Sequence, residues 1–458
     1  MPNTFAHIVF FTWPLVVLWM LKKYPLKKAL FLAITLSVLF LPAGYSIDLP
    51  GLPAVGKQQL TSISLVLLLF FLGKRLRVFQ SGLILKLFIG YSIVYLVSVS
   101  TNLEPTLNGG RLLQGMTTYD GFASIFNMLL GFVPLFIGRY FFSDVKDTEA
   151  FFKLLVVIGL IYSLPMLLEI RISPQLHRIV YGYHGGDFVQ QMRAGGFRPA
   201  VFVGHGLPLA FWLSTCIIAA LALHKNKVRY TFLPSTIIIW YLIGVLILSS
   251  TSSALIYIVI GGIFIYGLAP SKQIKGSLLI GIFVLIYPIA KTTGIFPDKE
   301  IISNISEFSV ERAQSLQVRF ENEGVLLEQA LKKPYFGWAG WGRNRVYNSY
   351  GKDITVTDGK WIIEIGLNGI VGFLFYYAIL LTPLYLATKS IKYIEDAEQK
   401  VYFCALAIIL AICILDSIPN VSMESMHLLM AGALLGQSEL LIKKRNLSIN
   451  ENKKFKKR

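Results

Sequence analysis

Four arginines, one aspartate and one histidine carry the chemistry this sequence suggests. Arg193 and Arg198 stand in the run Arg193-Ala-Gly-Gly-Phe-Arg-Pro-Ala-Val-Phe-Val-Gly-His205, which leads into an apolar stretch. A guanidinium offers a planar fork of N–H donors that matches phosphate oxygens. A helix start adds partial positive charge for an anion, and Pro199 suits the first turn of such a helix. The other reading is that both arginines snorkel to lipid phosphates. His205, one to two turns into the expected helix, is a general base or proton relay, or else a hydrogen-bonded packing residue. Arg312 and Arg319 are seven apart, nearly in phase on a helix. They form either a second anion clamp or a solvated face in which Arg319 pairs with Glu323 at i, i+4. Trp338 and Trp341 offer faces for sugar rings or anchors at a membrane interface. Asp358 is placed either to take a proton from a hydroxyl or to cap the helix that follows it. No His/Asp/Glu cluster has metal-ligand spacing, so no metal is expected.

The elements that must position these residues are membrane helices. Of 458 residues 55% are hydrophobic and only 15% charged, against about 25% charged in soluble proteins; mean hydropathy is +0.62. The composition predicts an all-α polytopic membrane protein. A span needs about 20 mostly apolar residues, and such runs lie near 5–21, 29–43, 58–73, 82–99, 122–138, 151–169, 199–223, 231–249, 251–268, 276–293, 361–387, 401–417 and 425–441. That gives twelve or thirteen spans in a single integral membrane domain. The boundary at Ser249-Ser250-Thr251-Ser252-Ser253 is the one that decides the count. The first run has no basic residue before it and Lys22 and Lys23 after it, so a retained helix is expected rather than a cleaved signal.

Lysines and arginines in alternate short connections number 18 in one set and 5 in the other. The richer set is expected in the cytoplasm together with the basic tail 443–458. The net charge of +18 then marks cytoplasmic loops and weak attraction to anionic lipid headgroups, not nucleic acid. A long loop, 294–360, falls on the outer face with nine basic and nine acidic residues. Within it Leu316, Phe320, Leu327 and Leu331 recur at helical spacing until Pro334 stops the helix. Gly366, Gly369 and Gly372 suggest close packing of membrane helices. The three cysteines lie in apolar runs, as packing residues.

Three runs carry a family likeness. Arg193-x-x-Gly-x-Phe197 with Pro199, Arg319 followed by Pro334-Tyr-Phe-Gly-Trp-Ala-Gly-Trp-Gly342, and Asp358-Gly-Lys-Trp-Ile-Ile-Glu-Ile-Gly-Leu-Asn-Gly369 occur in this order. Together they resemble the elements of the O-antigen ligase and polysaccharide polymerase superfamily of bacterial membrane glycosyltransferases, whose architecture is of the GT-C type. The likeness covers about 190–385. It implies transfer of a glycan from undecaprenyl pyrophosphate to an acceptor hydroxyl on a glycan or lipid at the outer face of the inner membrane, in surface polysaccharide synthesis. Neither a nucleotide sugar nor a metal is implied. It places Arg193 at the pyrophosphate, with Arg198, Arg312 or Arg319 as candidates for the second arginine, and a functional residue at Asp358; His205 stays the other candidate base, and Trp338 and Trp341 the candidate glycan contacts. A chain-length regulator is an implied partner if the chain is a polymerase. Two departures stand out. The family's Ser-x-Ser-Arg is here Ser249-Ser250-Thr251-Ser252-Ser253, without arginine, and ligases tend to have histidine where this chain has Asp358. The competing expectation is a transporter or flippase of lipid-linked glycans, which would place ionisable residues near the bilayer midplane.

Overall fold

A computed structural model describes residues 1–48, 51–74, 82–193, 196–229, 231 and 233–455; the side chains of Arg193 and of residues past 449 lie outside that description. Helices dominate, in the order α1 (Thr4–Lys23), α2 (Leu26–Phe40), α3 (Lys57–Phe71), α4 (Leu83–Ser100), α5 (Thr118–Phe141), α6 (Asp147–Ile172), α7 (Leu176–Tyr181), α8 (Gly206–Lys225), α9 (Ser235–Leu248), α10 (Ser252–Gly267), α11 (Pro270–Thr292), α12 (Asp298–Ser306), α13 (Val310–Leu331), α14 (Lys360–Ser390), α15 (Ala397–Asp416) and α16 (Ser425–Phe455). Each of the thirteen apolar runs has its helix. Among the described residues nine helices are long and apolar enough to cross a membrane, while α3, α9 and α10 are shorter apolar helices. The protein is therefore an all-α, multi-pass membrane protein.

The α9–α10 tip explains the uncertain boundary. At 1.5 Å per residue α9 rises about 21 Å, short of the ~30 Å hydrocarbon core. Ser249 and Thr251 of its turn are buried while Ser250 is exposed, and the two buried hydroxyls bond backbone carbonyls, Ser249 Oγ to Leu246 O at 2.7 Å and Thr251 Oγ1 to Ser249 O at 3.1 Å. Irregular backbone at membrane depth needs such internal partners.

Contacts sort the connections into two ends. At one end Asn3 N donates to Tyr181 O at 2.9 Å, Tyr183 OH donates to Ala43 O at 2.7 Å, and Arg343 Nη1 donates to Gln114 O at 2.7 Å. At the other end Lys27 pairs with Asp147 at 2.6 Å and Asn226 Nδ2 donates to Glu398 O at 3.0 Å. The N-terminus thus shares an end with the long loop, the arrangement that thirteen spans require.

Small residues bring helices together at more than one place. A Cβ on Gly432 would lie 1.9 Å from Leu135 O, and one on Gly436 2.1 Å from Arg139 O, so α5 and α16 touch backbone to backbone. Arg139 and Glu439 close that contact with a two-pronged pair at 2.7 and 2.9 Å. Gly369 serves a different purpose. It takes φ 67°, ψ −174° and breaks α14. The loop segment 334–339 fills the break: Ile370 N donates to Pro334 O (2.8 Å), Val371 N to Tyr335 O (3.2 Å), Trp338 N to Gly366 O (2.9 Å) and Ala339 N to Leu367 O (2.8 Å). The glycine–tryptophan run and Gly366 and Gly369 of α14 are therefore two halves of one joint between the long loop and α14. At these two glycines the contact is loop to helix, whereas Gly372 faces α4, where an added Cβ would lie 3.3 Å from Val94 Cγ1.

Candidate functional site

Asp358 does not cap α14. Gly359 holds the cap position with no side-chain hydrogen bond. The first amides are satisfied instead by the 417–420 turn, with Lys360 N donating to Ser417 O at 2.9 Å and to Asn420 O at 3.2 Å. The Asp358 carboxylate is left for Arg319, whose Nε stands 3.5 Å from Oδ2, both side chains part-exposed. The capping alternative is therefore removed.

Arg319 is delivered by α13, whose start is set by Ser309 Oγ accepting from Arg312 N. The expected Arg319–Glu323 pair does not form. Glu323 turns inward, accepting from Tyr287 OH at 2.8 Å and lying 3.5 Å from Lys291 Nζ. A buried cation outcompetes an exposed i, i+4 partner because the pair sits in lower dielectric. Arg312 is exposed on the first turn of the same helix, two turns from Arg319.

Arg198 follows a short hairpin, Met192–Arg193 against Gly196–Phe197. Only the backbone of Arg193 is described, and the expectation for its side chain lies outside the described residues. Arg198 is buried; its stem runs across Gly206, where a Cβ would lie 2.2 Å from Arg198 Cγ, and its Nη2 reaches Ser250 O at 3.5 Å. The helix expected from 199 begins only at Gly206. Glu169, fully buried, takes the amides of Ala200 and Val201 at 2.8 and 2.7 Å, which holds that stretch as a turn. His205 is consequently the N-cap of α8, not a residue inside it. Its Nδ1 accepts from Leu207 N at 3.1 Å, which fixes the proton on Nε2, 3.1 Å from Gln190 Oε1. In that tautomer neither nitrogen offers a free lone pair to a substrate hydroxyl.

Arg198 meets the turn before the N-terminus of α10, its Nη2 lying 3.5 Å from Ser250 O. Tyr257 OH donates to Asp416 Oδ1 at 2.9 Å, and Asn420 Nδ2 donates to the same oxygen at 2.9 Å. The N-termini of α8 and α10 open toward this end of the molecule and add partial positive charge.

Both tryptophans sit elsewhere. Trp338 donates Nε1–H to Gln329 O at 2.7 Å, with Lys333 4.8 Å over its ring, so it wedges the loop joint. Trp341 is 70% exposed and donates to Asp120 Oδ1 at 3.0 Å at the start of α5.

One feature escaped sequence reasoning. A cavity of about 250 Å³ lies beside the start of α14, lined among others by Gln58, Tyr91, Tyr95, Lys360, Glu364 and Tyr376. Lys360 Nζ is 2.6 Å from Glu364 Oε1. The signal was a glutamate inside an apolar run, four residues after a lysine. Among the described residues no three His, Cys, Asp or Glu side chains gather as a metal site, and the three cysteines are buried thiols.

No model of a known protein family matches the chain, and no curated protein matches it.

Proposed function

We propose that this protein is a glycosyltransferase of the bacterial inner membrane. It would transfer a glycan from undecaprenyl pyrophosphate to an acceptor hydroxyl on the outer face, in surface polysaccharide synthesis. The observation that carries this reading is the Arg319–Asp358 pair, at 3.5 Å, brought together from two elements of the long loop. The pair joins a phosphate-binding group to a proton acceptor that has no structural duty as a cap. In the reaction the acceptor oxygen attacks the anomeric carbon while Asp358 takes its proton. The bond from that carbon to the phosphate oxygen breaks, and polyprenyl pyrophosphate leaves with both electrons. Arg198, Arg319 and the N-termini of α8 and α10 stabilise the charge on the leaving group. A donor phosphate that draws Arg319 toward itself frees Asp358 as a base, so binding of the donor and activation of the acceptor are coupled. The charge bias of the short connections supports an external long loop and a cytoplasmic tail.

Transport of lipid-linked glycans is the second reading, favoured by the buried ionisable groups Glu364 and Asp416 inside the helix bundle. Purified protein in detergent, given a lipid-linked oligosaccharide and an acceptor glycan, separates the two. New glycosidic bonds without compartments support the transferase; donor left unchanged by the active-form protein contradicts it.

A further inference from the structure

The cavity beside Lys360 has no part in the transfer step as written. Its volume, about 250 Å³, is below the roughly 300–1,000 Å³ of sites for drug-sized ligands. It equals the liquid volume of about eight waters. That leaves room for one sugar ring and none for an oligosaccharide or a polyprenyl chain.

The lining selects further. Lys360 and Glu364 neutralise each other at 2.6 Å, so the cavity presents no net charge to a phosphate or carboxylate. It keeps many hydrogen-bonding groups. Glu364 Oε2 accepts from Tyr91 OH at 2.7 Å and from Asn368 Nδ2 at 2.9 Å, and Tyr95 OH donates to Tyr91 OH at 3.2 Å. Tyr376 lines the wall with Lys360 Nζ 5.0 Å over its ring. Aromatic walls beside convergent donors and acceptors suit the apolar face and the hydroxyls of a neutral sugar. The Lys360 side chain is a quarter exposed and Val421 is 47% exposed, so the cavity opens to the loop end.

Placement gives the ring an identity. Ser417 and Ser422 line the cavity, while Asp416 of the same segment, itself bonded by Asn420, holds Tyr257 of α10 on the other side. The 416–422 segment thus divides the arginine side from the cavity side. Asp358 precedes Lys360 by two residues at that divide. We propose that the cavity binds one neutral sugar ring, the terminal residue of the acceptor glycan, through Lys360, Glu364 and Tyr376. The word acceptor rests on the transferase reading. Sugar binding is measured without turnover, so the two fail separately.

The test titrates the purified full chain, in a detergent without a sugar headgroup, with methyl pyranosides of glucose, galactose, rhamnose and N-acetylglucosamine. Inorganic pyrophosphate is the competitor, and heat of binding is the readout. Gly131 also lines the cavity, and a Cβ there would meet only Gln58 Nε2, at 3.8 Å. Gly131→Leu therefore fills the space while leaving the ion pair intact, and leucine suits a helix better than glycine. The expected result is saturable binding of at least one glycoside, lost in Gly131→Leu, weakened about tenfold or more in Glu364→Gln, and unaffected by pyrophosphate. If Glu364→Gln does not fold, Gly131→Leu decides alone. No binding of any of the four, binding unchanged in Gly131→Leu, or displacement by pyrophosphate overturns the proposal.

Discussion

Substituting Gly369 by alanine tests the joint between the long loop and α14. The backbone there, φ 67° and ψ −174°, is in a region almost exclusive to glycine; a Cβ residue held in it costs of order 1–3 kcal/mol. The added Cβ would also stand 2.2 Å from the carbonyl of Tyr335 and 2.4 Å from Phe336 N. Those are backbone atoms that cannot rotate away, so the 334–339 segment must lift. Lifting it strands the amides of Ile370 and Val371, now bonded at 2.8 and 3.2 Å, at about 1–3 kcal/mol each. The sum, roughly 3–9 kcal/mol, is comparable to the ~5–15 kcal/mol that stabilises a typical domain. Gly369→Ala should therefore cut the yield of monodisperse protein severely and lower its melting temperature in detergent. The control is Gly244→Ala on α9, where nothing lies within 4 Å of the added carbon. That variant should melt with the parent protein or slightly above it. A Gly369→Ala protein that melts within about 2 °C of the parent, less than a loss of roughly 3 kcal/mol or more should produce even in a chain of this length, would refute the joint.

Three further outcomes follow from the geometry. Glu439→Gln leaves Arg139, 6% exposed, without its carboxylate and should cost about 1–3 kcal/mol, less than a fully buried pair because Glu439 is 35% exposed, whereas the double change Arg139→Leu/Glu439→Leu should recover much of it; equal melting of the single and double variants would contradict this. Asp353 is partly buried, which raises its pKa, but the hydrogen bonds from Arg345 at 2.6 Å and from Thr355 outweigh that and hold the carboxyl below its ordinary range. A depressed carboxylate stabilises above its unfolded value of about 3.9 and loses that contribution as pH falls through the folded value. The melting advantage of the parent over Asp353→Asn should therefore shrink below about pH 4, and an advantage constant down to pH 3 would exclude the link. A cysteine at Ser349, exposed on the long loop, should react with an impermeant maleimide in intact cells; reaction only after the membrane that holds the protein is opened would reverse the orientation.

The helices were legible because apolar runs must be helical where no water can satisfy the backbone. What stayed hidden were contacts between distant segments. Pro199 looked like a first-turn residue, yet Glu169, thirty residues earlier, captures the next two amides and delays α8 to Gly206. Asp358 looked like a cap because Asp precedes a helix, but the 417–420 carbonyls reach those amides first. Glu323 had a good local partner in Arg319 and took Lys291 instead. Local spacing ranks local partners only. The Lys360–Glu364 pair was written in the sequence at i, i+4. The cavity around it was not, because its walls come from α3, α4 and α5 as well.

The central claim is that Asp358 is a base held by Arg319. It is tested most directly by the transfer rate of purified Asp358→Asn with a lipid-linked donor, beside its melting temperature. Asparagine keeps the shape and cannot take a proton. Since Gly359, not Asp358, caps α14, the melting temperature should stay near that of the parent. The rate should fall about 10²–10⁴-fold, the usual contribution of a positioned base. A parental rate in folded Asp358→Asn would contradict the account, and a low rate with a collapsed melting temperature would return Asp358 to a structural role.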